Sequence, residues 1–341
     1  MSMLSTTANQ HAGRGTREIT LGQAIRETLA EEMRRDPRVF IMGEDVAEAG
    51  TVFKVLSGLV EEFGPSRVID TPISEPGITG IGVGSAMTGM RPIVDIMFGD
   101  FIALAMDQVV NQAAKVHYMS GGKLKVPLVV RTTLGATRRT AAQHSQSLHA
   151  WVSHVPGLKV VLPSTPYDAK GLLKTAIRDD NPVIFFEDKM MYQLKGLVPE
   201  GDYTIPFGVA DIKRPGTDIT IVATSSMVQV ALEAAGLLQK IDISAEVIDP
   251  RTTFPLDKVT LIESARKTSR AIVVDEGYER YGVTAELAAV IAEGAFYYLD
   301  APVKRMGAMD VPVPFSPVLE DMTVPTANTV TELAKTLCGR V

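Results

Sequence analysis

Two rhythms of apolar and polar residues run through this chain. Ile25, Leu29 and Met33 recur at the spacing that places them on one face of a helix, and residues 39–42 form a short apolar run. Such units continue through the first half. Residues 93–97, 128–132, 160–162 and 183–187 are nearly continuous apolar runs, the pattern of strands buried on both faces of a parallel sheet. Thr165-Pro166-Tyr167-Asp168 offers a capping hydroxyl, a proline in the first turn and an acid three residues after the cap, which predicts a helix starting there. Strands alternating with helices predict the α/β class.

From about residue 188 to 218 the periodicity lapses, and Gly196, Pro199, Gly201, Pro206, Gly208, Pro215 and Gly216 accumulate. A second α/β unit follows, with strands predicted at 219–223, 245–248 and 271–274. A helix is expected over 228–239 and a last one through Val330, Leu333, Ala334 and Leu337. The expected organisation is a tail over 1–16, a first domain over 17–192, a linker over 193–217 and a second domain over 218–341. A chain of 341 residues, 45% hydrophobic, is long and apolar enough to fill two cores.

The 34 basic and 40 acidic residues give a net charge of -6, which disfavours a broad electrostatic grip on nucleic acid or an anionic membrane. One cysteine, Cys338, excludes an internal disulfide framework and a cysteine-only zinc site. Residues 1–15 lack the apolar run of a signal peptide and read as a disordered tail. No apolar stretch approaches the roughly 18 residues of a membrane span, and a cytoplasmic protein is expected.

Gly80-Ile81-Gly82-Val83-Gly84-Ser85-Ala86-Met87 approaches a dinucleotide-binding fingerprint, which would make the chain an NAD-dependent dehydrogenase. That fingerprint wants a glycine where Met87 stands and a strand directly before it, whereas Pro76 and Gly77 precede it. The competing reading is a helix whose small residues let another backbone approach. Before it, Glu75 is either an acid favoured by a helix start or a catalytic carboxylate. His144 lies with Gln143, Ser145 and Gln146 in a polar loop after a predicted strand, where such folds place ligands; a lone loop histidine is otherwise structural. Glu44 reads as a solvated loop acid and Phe101 as a core aromatic, while His117, His149 and His154 read as packing or surface residues.

Thr71-Pro72-Ile73-Ser74-Glu75, Met119-Ser120-Gly121-Gly122, Ala142-Gln143-His144-Ser145-Gln146 and Pro156-Gly157-Leu158-Lys159-Val160-Val161 resemble, in order, the β subunits of 2-oxo acid dehydrogenase first components. The likeness runs from about Glu18 to the C-terminus. Pro163-Ser164-Thr165-Pro166-Tyr167-Asp168 and Tyr298-Leu299-Asp300-Ala301-Pro302 look most like the acetoin dehydrogenase branch, with pyruvate and branched-chain enzymes as alternatives. The resemblance implies a transketolase-like pyrimidine-binding domain with a parallel sheet, then a transketolase C-terminal domain with a mixed sheet. It implies thiamin diphosphate held between subunits, with Glu75 sharing a proton with the aminopyrimidine ring and favouring its basic imino tautomer.

By the same resemblance Phe101 stacks on that ring, and Glu44, Ile73 and Met97 lie near the cofactor. His144 faces the substrate and an incoming lipoyl arm. Backbone oxygens of Leu128, Ala176, Ile177 and Asp179, with Asn181, hold potassium beneath its loop. A self-sufficient enzyme of this kind carries Gly-Asp-Gly for magnesium diphosphate, but Gly99-Asp100 and Gly201-Asp202 are followed here by Phe101 and Tyr203. Magnesium is therefore expected from an α subunit in an α2β2 tetramer serving a lipoyl-bearing acyltransferase. A non-catalytic assembly subunit is the alternative that would leave Glu75 dispensable.

Overall fold

Thr20 and Gln23 form a reciprocal capping box: the Gln23 N–H donates to the Thr20 hydroxyl at 3.2 Å, and the Thr20 N–H to the Gln23 side chain at 2.8 Å. Strand β1 (Thr16–Thr20) ends there and helix α1 (Leu21–Arg35) begins, with Arg34 and Arg35 suitably placed in its last turn. In the computed structural model, which describes residues 15–339, the first unit comprises residues 16–135 and 151–207. It continues with β2 (Val39–Gly43), β3 (Val68–Asp70), α2 (Glu75–Met87), β4 (Arg91–Ile96), β5 (Val129–Leu134), β6 (Lys159–Val161), α3 (Pro166–Arg178), β7 (Val183–Asp188) and β8 (Lys195–Pro199).

Six parallel strands of this unit run in the order β6-β7-β5-β4-β2-β3, and β1 pairs antiparallel with β8. Every residue of β2, β4, β5 and β7 is buried, because helices cover both faces. On one face Leu29 and Met33 of α1 share a core with Leu172 and Ile177 of α3 and with Ile41 and Phe185. Each such side chain stabilises the fold by about 1.5–3 kcal/mol. Thr165 caps α3, its hydroxyl accepting the Asp168 N–H at 3.1 Å.

The opposite face carries α2. The glycine-rich stretch 80–87 lies within that helix, not at a strand-to-helix turn, so its glycines form no phosphate-facing loop. A Cβ at Gly82 would stand 2.6 Å from Val94 Cγ2, so that glycine admits a strand side chain; a Cβ at Gly84 would meet nothing within 4 Å among the described residues.

The second unit is built from residues 136–150 and 208–339. It contains β9 (Asp211–Arg214), β10 (Ile219–Ala223), α4 (Met227–Gln239), β11 (Ala245–Asp249), α5 (Lys258–Thr268), β12 (Ala271–Tyr278), α6 (Val283–Ala295), β13 (Lys304–Ala308) and α7 (Ala327–Leu337). The sheet order is β13-β12-β10-β11-β9, parallel except for the antiparallel β9–β11 edge. Alternate residues face opposite layers: Ile221 and Val247 pack under α4 and α7, Val222 and Ile248 under α5 and α6.

The stretch 193–217, expected as a linker, carries strands β8 and β9. In β9 the inward residues are charged: buried Lys213 pairs with Asp211 at 2.8 Å, and Arg251 reaches Asp211 at 3.2 Å. Residues 1–14, most of the expected tail, lie outside the described residues.

Candidate functional site

Strands β5, β4, β2 and β3 are neighbours, and the chain leaving their carboxyl ends carries the predicted site residues. Glu44 follows β2, Ile73 and Glu75 follow β3, Met97 and Phe101 follow β4, and the segment leading to His144 follows β5. In an open parallel sheet this is the ligand-facing edge.

Glu75 is the first residue of α2, where the helix N-terminus favours a negative charge. It is buried, and its carboxylate makes no hydrogen bond or ion pair with another described residue. Burial pushes the half-buried Glu44 carboxyl above its ordinary value, and the negative charges of Asp45 and Glu75 add to the shift.

Phe101 is half-buried in a tight helical turn, edge-on to Phe98 with ring centroids 6.1 Å apart and planes at 80°. Gly99 fixes this turn: a Cβ there would stand 2.1 Å from the Thr133 carbonyl oxygen of β5. The Thr133 hydroxyl also donates to the Met97 carbonyl at 3.0 Å, pinning the same segment. Met97 is half-buried, whereas Ile73 is 72% exposed, an apolar side chain turned outward beside Glu75.

Beneath this edge lies a charge cluster that the sequence reading missed. Arg131 of β5 donates to both oxygens of Glu187 of β7, at 2.6 and 2.7 Å, and to Asp95 of β4. The Tyr192 hydroxyl donates to Glu187 at 2.8 Å. All are buried. Burial would lower the guanidinium's pKa, but Glu187 and Asp95 outweigh it and hold Arg131 charged. Each charged residue sits inside one of the apolar runs that predicted its strand, and only the side-by-side pairing of β4, β5 and β7 brings them together.

His144 belongs to the loop 136–150, part of the second unit. It is half-buried; its N–H donates to the Ala141 carbonyl at 3.4 Å and its own carbonyl accepts the Thr140 hydroxyl at 2.9 Å. Thr137, Arg139 and Ala141 all have φ near +60°, a conformation costing about 1–2 kcal/mol per non-glycine residue. His149, read as a packing or surface residue, is buried and bonded to Asp275 at 3.0 Å.

The expected potassium ligands gather at the other edge of the first sheet. Leu128 precedes β5 and Asn181 precedes β7, so their oxygens lie a strand length, about 20 Å, from Leu134, where the chain departs toward His144. The Leu128 carbonyl accepts the Val183 N–H at 2.9 Å and the Ala176 carbonyl the Asp179 N–H at 3.3 Å. The Ile177 and Asp179 carbonyls each accept the Arg91 guanidinium at 2.8 Å. Asn181 is turned toward the Asp179 carboxylate, to which its N–H donates at 2.8 Å.

Known proteins place this architecture. The transketolase pyrimidine-binding domain matches residues 17–195 and the transketolase C-terminal domain residues 208–330. The chain is 51% identical to the acetoin:2,6-dichlorophenolindophenol oxidoreductase subunit beta of Bacillus subtilis (strain 168), covering 95% of this chain and 98% of that one. It is also 51% identical to the pyruvate dehydrogenase E1 component subunit beta of Rickettsia felis, covering 94% and 98%. Identity to the 2-oxoisovalerate dehydrogenase subunit beta of Bacillus subtilis is 49%, covering 87% and 91%. A solved split-gene transketolase, an inactive beta4 tetramer, superimposes with a TM-score of 0.75 at 24% identity, covering 94% and 98%, which shows a shared fold. Among the described residues no helix is long and apolar enough to cross a membrane.

Proposed function

Because this chain belongs to the β subunits of thiamin-diphosphate-dependent first components of 2-oxo acid and acetoin dehydrogenases, we propose that it supplies the pyrimidine half of a shared active site that cleaves acetoin. It is an oxidoreductase subunit that works with an α subunit in a heterotetramer. The α subunit holds the magnesium diphosphate, and a lipoyl-bearing acyltransferase in the cytoplasm receives the acyl group.

The observation that carries this reading is Glu75, a buried acid on a helix start with no hydrogen-bond partner among the described residues, on the same ligand-facing edge as Phe101. An aminopyrimidine ring nitrogen would supply that partner. Glu75 would share a proton with that nitrogen, and Glu44 stands close enough for the two carboxyls to interact. Phe101 offers a ring face for stacking, and Met97 and Ile73 supply apolar surface. When bound, thiamin diphosphate supplies the nucleophilic carbon and the electron sink. His144 delivers a proton to the departing lipoyl sulfur.

Glu75→Gln keeps shape and hydrogen bonding but not the acid, so turnover by the reconstituted heterotetramer should fall by about 10² to 10⁴ with thermal stability unchanged. Full activity in that variant would mean that Glu75 is structural and the chain an assembly subunit. Equal identity to acetoin and pyruvate enzymes leaves substrate choice to kcat/KM over acetoin, pyruvate and branched 2-oxo acids, with acetoin expected to lead. The carbonyls of Leu128, Ala176, Ile177 and Asp179, with Asn181, suit potassium in kind, each keeping a second lone pair, and Arg91 is the resident competitor at two of them. Melting in potassium against lithium chloride at equal ionic strength tests this: a potassium-specific rise is expected, and its absence leaves Arg91 as the cation there.

A further inference from the structure

The loop that carries His144 is held by carboxylates of the second unit on both sides of the histidine. Where the loop begins, the Ala136 N–H donates to Glu276 of β12 at 2.5 Å, and the other Glu276 oxygen accepts the Ser226 hydroxyl at 2.8 Å. Next, Arg139 donates its backbone N–H to Glu320 at 3.1 Å, and its guanidinium to Glu320 at 2.8 Å and to Asp321 at 2.7 Å. Near the loop's end, His149 meets Asp275 of β12 at 3.0 Å. Asp275 also accepts the Thr224 hydroxyl and, at 2.8 Å, the Gly277 N–H.

Asp275, Glu276 and Glu320 are all buried. The loop lies so close to β12 that a Cβ at Gly277 would stand 3.3 Å from the Ser147 carbonyl and from the His149 ring. Between the first and last of these attachments, three non-glycine residues are in the left-handed region, a conformation that persists only where the surroundings over-determine it. The histidine's position is thus set by side chains more than a hundred residues further along the chain.

We propose that Asp275, Glu276 and Glu320 are positioning residues for His144: the C-terminal unit, through this loop, controls the transfer of the acyl group to the carrier and leaves cofactor activation alone. This rests on the role proposed above for His144, and the test separates the two. In the reconstituted heterotetramer, Glu276→Ala removes the acceptor for the Ala136 N–H, while Glu276→Gln keeps an oxygen there. Arg139→Ala releases the central attachment from a partly exposed side chain and spares the fold.

Amide hydrogen exchange in residues 137–148 should rise about tenfold or more in Glu276→Ala and Arg139→Ala, and return to within about twofold of wild type in Glu276→Gln. Carrier-dependent NADH formation should fall at least about tenfold in the two alanine variants, with reduction of an artificial electron acceptor within about twofold of wild type. Unchanged exchange overturns the proposal. So does a loosened loop with carrier transfer intact while His144→Ala itself is transfer-selective. If His144→Ala is not transfer-selective, the role of the histidine fails, and the exchange data alone decide whether the carboxylates hold the loop.

Discussion

Replacing Arg131 by methionine keeps most of the side-chain volume and removes the cation that Asp95 and Glu187 share in a buried cluster. Asp95 and Glu187 are then left in the sheet without that counter-charge. In the native protein burial already pushes both carboxyls up, with Arg131 opposing the shift. Without it each acid must be protonated in the fold. Holding an ordinary carboxyl protonated at pH 7 spans about 3 pH units at about 1.36 kcal/mol each, or about 4 kcal/mol. Two acids would reach about 8 kcal/mol. The Tyr192 hydroxyl bond to Glu187 and local relaxation reduce this to about 3–5 kcal/mol, the usual loss on breaking a buried pair. The sign of the pH effect follows from linkage. Acids whose folded pKa is raised above the unfolded value bind protons in the native state, so the deficit of the variant should shrink as pH falls. Between pH 7 and 5 each acid returns up to about 2.7 kcal/mol. Denaturant unfolding of wild type and Arg131→Met at both pH values measures this. A deficit equal at the two pH values, or below about 1 kcal/mol at pH 7, would refute the argument that Arg131 acts by neutralising the two carboxylates.

Other consequences are open to simpler measurement. Gly99→Ala drives a methyl group into the Thr133 carbonyl, so it should cost about 1–3 kcal/mol in unfolding and weaken thiamin diphosphate binding by the heterotetramer, as read by calorimetry. The chain without its α subunit should bind the cofactor weakly and with no dependence on magnesium; tight magnesium-dependent binding by the β chain alone would contradict the shared-site reading. The Arg38 guanidinium, bonded to Asp36 at 2.7 Å, pulls that carboxyl down to about 2 from its ordinary 3.8. A depressed carboxyl stabilises the fold above its unfolded pKa and loses that contribution as pH falls through the folded one. Asp36→Asn should therefore melt below wild type near neutral pH and converge with it between about pH 4 and 2.

Much of this was legible in the chain because burial on both faces writes strands as apolar runs, and because Thr165-Pro166 marks a helix start by hydrogen bonding alone. The carboxyl-edge residues were legible only through resemblance: Glu75 by itself is equally a helix-start acid, and its missing partner is visible only in three dimensions. Strand β9 was hidden because its inward positions are Asp211 and Lys213, which satisfy each other and so resemble a solvated connection. Arg131, Asp95 and Glu187 lie 36 and 56 positions apart, and no local pattern signals that they meet. His149 and Asp275, separated by 126 positions, were invisible for the same reason.

The pairing of β1 with β8 has a topological consequence. Thr16 and Pro199 are partners on one rung of that ladder, so the first residue of the unit lies about 5 Å from a point eight residues before its last. Ile205 of the core lies beyond that rung, so a circular permutant of this unit needs its bridge drawn from 207 to 16 and not from 199.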